Sequence, residues 1–192
     1  MSQANLPRHP KITAEDRLPG DLDRDAVVER MIRVDHAGEY GAARIYEGQL
    51  AVLGRSPSGP VIQAMADQEK SHLAVFDRLV VERRVRPTVL SPLWHAAGFV
   101  LGASSALMGE RAAMACTVAV EEVIGEHYGD QLDRLGDDEP ELRDTVAEFR
   151  ADELGHRDTG LEQGAEGMAG YEPFTMAVKT GTRLAIWLSE RF

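Results

Sequence analysis

Two Glu-x-x-His pairs, Glu69/His72 and Glu153/His156, hold the residue types of a metal site at helical spacing. Each is preceded by a helical stretch with its own Glu: Glu39 in VDHAGEYGA and Glu121 in VAVEEVIGE, 30 and 32 residues upstream of Glu69 and Glu153. A helix with one Glu, followed by a helix with Glu-x-x-His, therefore occurs twice. Four carboxylates and two imidazoles converging in a four-helix bundle make a site for two iron or manganese ions.

Whether they converge depends on the helical period. One face of the first stretch reads Val28, Ile32, Asp35, Glu39, Ala42, Tyr46, and the second reads Ile62, Met65, Glu69, His72, Phe76. The later pair reads Met114, Val118, Glu121, Gly125, Tyr128 and Leu142, Val146, Phe149, Glu153, His156. Steps of three and four mark a buried stripe. In each stripe a Glu fills a place that packing alone would give to Leu, and a buried carboxylate is costly unless paired. Two divalent cations would balance the four. A lone Glu-x-x-His is more often a solvated face, and a mid-stripe Glu more often pairs with Arg, for which Arg33 and Arg44 are at hand. The doubled pattern favours metal.

The repeat extends past the ligands. Tyr46 follows Glu39 by seven residues and Tyr128 follows Glu121 by seven. Each is either a core Tyr with a satisfied hydroxyl or a phenol serving the site. Asp35, one turn before Glu39, would accept the free ring N–H of a ligand His or else face solvent. Glu122 points off the stripe. Gly38, Gly41 and Gly125 signal either close helix packing or room beside the site for oxygen or a flat substrate.

The chain has 192 residues, 43% of them hydrophobic, enough for one domain. The expected division is a loose tail over 1–22 and one helical domain over 23–192. A net charge of −11 argues against a nucleic-acid partner. Cys116 is the sole cysteine, so no intrachain disulfide forms, and its apolar setting suits the core. The N-terminus shows neither the apolar run of a secretory signal nor the composition of a transit peptide.

Six helices are predicted, at about 23–53, 60–84, 92–108, 110–135, 139–163 and 174–191. No strand pattern competes, so the fold class is all-α. The third helix is unusual: Pro87 to Gly109 contains no Asp, Glu, Lys or Arg. A buried crossover, a helix in the membrane interface anchored by Trp94 and Phe99, and a true span all remain open for it. The last helix, FTMAVKTGTRLAIWLSERF, is amphipathic and basic, which suits an anionic lipid surface or packing on the bundle.

Several strings resemble the demethoxyubiquinone hydroxylases of ubiquinone biosynthesis: RVDHAGEYGAARIYEGQLAVLG, DQEKSHL, VRPTVLSPLWHAAGF, AMACTVAVEEVIGEHY, FRADELGHRDTGLE and the terminal RLAIWLSERF. The likeness covers about Met31 to the C-terminus. It implies a ferritin-like four-helix bundle with additional membrane-associating helices, at the cytoplasmic face of the cell membrane. It implies two iron ions held by Glu39, Glu69, His72, Glu121, Glu153 and His156, with oxygen as co-substrate. Glu69 and Glu153 would bridge, with Glu39 and His72 at one end and Glu121 and His156 at the other, the crossed assignment of the two His being left open. The implied substrate is a polyprenylated demethoxyubiquinone or its quinol, and a lipid-binding accessory protein is an implied partner. A ferritin-like iron store or peroxide scavenger is the alternative; it would not need the uncharged third helix.

Overall fold

The computed structural model describes residues 20, 22–137 and 139–192. Apart from Gly20 and Leu22, the tail expected over 1–22 lies outside the described residues. Helix α1 (Arg24–Leu53) opens on Asp23, whose side chain accepts the Ala26 N–H at 2.8 Å. Helices α2 (Gly59–Glu82), α3 (Ser91–Leu107) and α5 (Pro140–Glu162) each carry a proline in the first turn, where a missing N–H costs nothing. Helix α4 spans Glu110–Leu135, and a short 3-10 turn at Ala165–Gly167 precedes α6 (Tyr171–Ser189). No strand occurs among the described residues.

The boundaries agree with the sequence reading to within three residues, and two of the differences have a local reason. α2 stops at Glu82 because Arg84 takes a left-handed conformation (φ 55°), and the N–H groups of Arg84 and Val85 bond back to Val81 and Val80. That is the Schellman ending with Arg in place of the usual Gly. α6 begins three residues earlier than expected, since Pro173 falls in its first turn and does not break it.

Two helical hairpins, α1–α2 and α4–α5, face each other and enclose the site. Apolar clusters close both ends. One joins Ile32, Phe76, Tyr128, Leu142, Val146 and Phe149; the other joins Tyr46, Ile62, Met65, Met114 and Val118. α3 crosses outside α1, and α6 lies mainly along α4.

The α1–α3 contact is made by glycines. A Cβ on Gly102 would stand 1.9 Å from the Ile45 carbonyl oxygen, and one on Gly98 would stand 2.8 Å from that of Gly41. The opposite face of α3 exposes Leu93, Phe99, Val100 and Leu107. The crossover reading of α3 therefore holds for one face, while its other face stays apolar and open. No helix among the described residues is long and apolar enough to cross a membrane, so the spanning reading of α3 is not supported. Trp94 also departs from its expected role as an outward anchor. It is half-buried, and its indole N–H donates to Ser189 Oγ at 3.0 Å, which ties α3 to α6.

Candidate metal centre

The stripes bring all six candidate residues together. Glu39, Glu69, His72, Glu121, Glu153 and His156 are each no more than 4% exposed. They fall into two overlapping groups whose ligand atoms lie within 4.8 Å of one another. One group is Glu39, Glu69, His72 and Glu153; the other is Glu69, Glu121, Glu153 and His156. Glu69 and Glu153 belong to both. His72 Nδ1 lies 3.2 Å from Glu153 Oε1 and 3.5 Å from Glu39 Oε2. His156 Nδ1 lies 3.0 Å from Glu69 Oε1 and 3.4 Å from Glu153 Oε2. The grouping sets His72 with Glu39 and His156 with Glu121, rather than crossed.

The hydrogen bonds leave a matching set of free atoms. Tyr46 donates to Glu121 Oε1 at 2.7 Å, and Tyr128 donates to Glu39 Oε1. Each outer carboxylate thus keeps one buried oxygen without a partner, whereas Glu69 and Glu153 keep both, and each imidazole keeps its Nδ1. Buried polar atoms are rarely left unsatisfied. Six residues leave such atoms aimed into one space, and the donor set of carboxylate oxygen and imidazole nitrogen fits iron or manganese.

The second nitrogens fix the rings. His72 Nε2 lies 3.0 Å from Asp152 Oδ2, and His156 Nε2 lies 3.0 Å from Gln68 Oε1. Both partners are acceptors, so each ring donates from Nε2 and turns Nδ1 inward, where a metal ion would displace any proton and take the lone pair. Asp152 and Gln68 immediately precede the Glu of each Glu-x-x-His, and each serves the imidazole of the other pair. Sequence reading missed them because they lie one residue off the buried stripe. The signal was a polar residue at the same place in both motifs.

Asp35 does not take the role expected of it. The ligand rings turn their Nε2 toward α2 and α5, away from α1. Asp35 instead accepts from Gln131 Nε2 at 2.6 Å and lies 3.5 Å from His127 Nε2. It is buried, so it is not the solvent-facing carboxylate either. The repeat explains its place. Gln49 on α1 donates to Thr117 on α4, as Gln131 on α4 donates to Asp35 on α1. Glu39, Tyr46, Gln49 and Asp35 correspond to Glu121, Tyr128, Gln131 and Thr117, all offset by 82 residues. Arg33 and Arg44 do not neutralise the site: Arg33 donates to the Arg86 carbonyl, and Arg44 pairs with Glu47. Glu122 pairs with Lys179 at 2.7 Å, on the outside.

The electrostatics are those of a crowded, dry site. Burial, then repulsion from Glu153, pushes the Glu69 and Glu121 carboxyls well up. Burial also raises Glu39. Burial would raise Glu153, but the neighbouring His156 and His72 imidazoles outweigh it and hold the carboxyl down at about 2. Burial disfavours the His72 imidazolium, yet Glu153 and Glu39 together lift it to about 11. Burial keeps the Tyr46 and Tyr128 hydroxyls far above their ordinary value, so both remain proton donors.

A cavity of about 310 Å³ lies behind α1 and α4, roofed by α3 and α6. Its wall includes Gly38, Gly41, Ala42 and Val120, the neighbours of Glu39 and Glu121. A Cβ on Gly38 or Gly41 would meet nothing within 4 Å, so these glycines leave room. Gly125 packs instead, against Leu154.

Paired helical hairpins around four buried carboxylates and two imidazoles that could hold metal define the class of ferritin-like helical bundles. Within that class, the chain belongs to the family described as "Ubiquinone biosynthesis protein COQ7", which matches residues 26–189. It is 58% identical over 180 residues to the 3-demethoxyubiquinol 3-hydroxylase of Rhodospirillum rubrum, covering 93% of this chain and 85% of that one. It is 60% identical over 168 residues to the mitochondrial NADPH-dependent 3-demethoxyubiquinone 3-hydroxylase of Dictyostelium discoideum, covering 86% and 77%. The human protein of the same name is 55% identical over 170 residues, covering 86% and 78%.

Proposed function

We propose that this chain is a di-iron monooxygenase that hydroxylates the ring of a polyprenylated demethoxyubiquinone or its quinol. The observation that carries this reading is the pair of carboxylate–imidazole groups sharing Glu69 and Glu153. In it, Glu69 and Glu153, common to both groups, would hold the two irons together with Glu39 and His72 on one side and Glu121 and His156 on the other. Oxygen reacts slowly with closed-shell rings, and a pair of ferrous ions held by these residues would supply the electrons that activate it. One oxygen atom enters the ring and the other leaves as water, which requires two electrons and two protons from outside. The quinol or a nicotinamide nucleotide is the source of the electrons.

The residues around the metals hold and exclude. Tyr46 and Tyr128 orient the outer carboxylates, Asp152 and Gln68 orient the imidazoles, and the two apolar clusters keep bulk water out. The cavity beneath α3 and α6 receives the quinone ring beside Glu39 and Glu121. Its lining holds no charged side chain, which suits a quinone and has no purpose in an iron store. The polyprenyl tail leaves toward the exposed apolar surfaces of α3 and α6. Those surfaces dock on the membrane that contains the quinone, the cytoplasmic face of the cell membrane, and an accessory lipid-binding protein would meet the same face.

Two measurements test this together. Anaerobically loaded protein is expected to hold about two irons per chain with carboxylate and imidazole ligands by Mössbauer spectroscopy. Cells lacking the gene are expected to accumulate the demethoxyquinone. Zinc alone, or an unchanged quinone profile, would overturn the reading.

A further inference from the structure

Two openings approach the metal site from opposite sides of the bundle, and their chemistry differs. The cavity under α3 and α6 is mostly apolar and has no charged side chain in its lining. The other is an open groove of about 530 Å³ between α2 and α5. Its lining includes Gln68, Asp152, Gly155, His156 and Thr159. We propose that this groove is the path by which divalent metal ions reach and leave the site, with Asp152 as the first carboxylate they meet. The inference rests on the metal reading given above.

Three observations carry it. A divalent ion gives up its water only where other polar ligands replace it, so the uncharged cavity presents a barrier that an open groove carrying Asp152, Gln68 and His156 among its apolar residues does not. The His156 ring is a wall shared by the groove and the site: it lines the groove, and its free Nδ1 faces the carboxylates. Asp152 joins the two sides as well. Its side chain is 33% exposed, yet one oxygen lies 3.0 Å from the buried His72 ring. An ion held there is one side chain away from the six residues.

The groove is also kept open by its composition. Ala64 on α2 faces Ala151 and Gly155 on α5. A Cβ on Gly155 would meet nothing within 4 Å, so a helical position that alanine would firm is left bare. Small residues here leave space without any packing need for it.

The test compares two plugs with a control. Gly155→Phe and, separately, Ala64→Phe place a ring in the groove from opposite walls, so that one poorly folded variant does not decide the outcome. Gly181→Phe places a ring at the apolar cavity, where a Cβ also has open space. Each protein is loaded with Co(II) without oxygen, its cobalt content is measured, and release to a strong chelator is followed by the Co(II) absorption. All are expected to hold about two cobalt ions. Release should slow by about tenfold in both groove variants and stay unchanged in Gly181→Phe. Asp152→Asn keeps an acceptor for His72 but removes the charge. It should slow cobalt uptake at low salt, with the difference fading at about 1 M salt, where the screening length is about 3 Å. Groove variants that release at the wild-type rate, or a cavity variant that slows equally, would overturn the path. A wild-type chain that binds fewer than two ions would overturn the metal reading itself, which separates the two failures.

Discussion

Each outer carboxylate of the site has one oxygen held by a tyrosine and one free, while the shared carboxylates have both free. That difference makes the shared pair the most demanding to replace. Glu153→Ala is expected to leave the chain helical but lower iron below about one per chain and hydroxylation at least about 100-fold. Glu122→Ala, its control, removes only the exposed pair with Lys179 and should keep both near wild type. Iron analysis, quinone assay and circular dichroism decide it; equal losses would misplace the stripe. The same crowding predicts a pH dependence. Without metal, His72 is raised from 6.5 to about 11, so its contribution to stability is complete below 6.5 and lost as pH rises through about 11. Glu39, Glu69 and Glu121 are also raised, so they favour the metal-free fold at low pH and lose that contribution as pH rises above 4.5. Glu153, lowered to about 2, has the opposite sign: its contribution is present above 4.5 and lost as pH falls through about 2. Between about pH 6 and about pH 8 His72, raised to about 11, holds its second proton, and metal displaces it. The increase in Tm on adding Co(II) should therefore be larger at about pH 8, by calorimetry. A pH-independent increase would contradict these protonation states.

At the scale of elements, α3 depends on glycines that let it reach α1. Gly102→Ala would drive a Cβ to 1.9 Å from the Ile45 carbonyl oxygen, which is backbone and has no rotamer to yield. The expected cost is about 1–3 kcal/mol of overpacking, or a Tm lower by about 2–4 °C per kcal/mol. Gly38→Ala, with open space at its Cβ, should change Tm little. Thermal unfolding of both variants tests the contrast, and equal shifts would mean that α3 moves away freely. The sequence made much of this architecture readable. Glu39, Glu69, Glu121 and Glu153 stood out because each interrupts an apolar stripe, and the stripe itself set the helix faces. Asp152 and Gln68 did not stand out, because periodicity assigns residues to a face of their own helix and says nothing of what the facing helix presents. Asp35 was misplaced for a related reason: its stripe position was right, but its partner Gln131 comes from a helix 96 residues away. Trp94 was taken as an outward anchor from residue type, yet its polar N–H found Ser189 and turned the ring in.

For the molecule as a whole, the apolar surface is unevenly placed. The hairpins bury their stripes around the site, whereas α3 and α6 carry Phe99, Val100, Leu107, Met176, Leu184 and Trp187 in exposed positions. Lys179 and Arg183 lie on α6, paired with Glu122 and Glu126 of α4, and Arg191, just past its end, is stacked over Trp187 at 4.1 Å. Apolar side chains edged by cations are the composition of a helix lying in an anionic membrane interface. The geometry also links that surface to the chemistry, since the same two helices roof the cavity against Glu39 and Glu121. On the proposed function, a quinone with a long prenyl tail would remain partly in lipid while its ring enters that cavity. Because Trp94 is turned inward, the variant that tests docking uses exposed positions: Phe99→Ser, Val100→Ser and Trp187→Ser together. None of these lines the cavity, so the variant should keep its iron and its helicity. Flotation with vesicles containing anionic lipid is expected to fall several-fold, roughly in proportion to the apolar area removed. Hydroxylation of a short-tailed, water-soluble quinone should persist, while that of a long-tailed quinone in vesicles should fall with binding. Flotation equal to wild type would show that α3 and α6 are not the docking face.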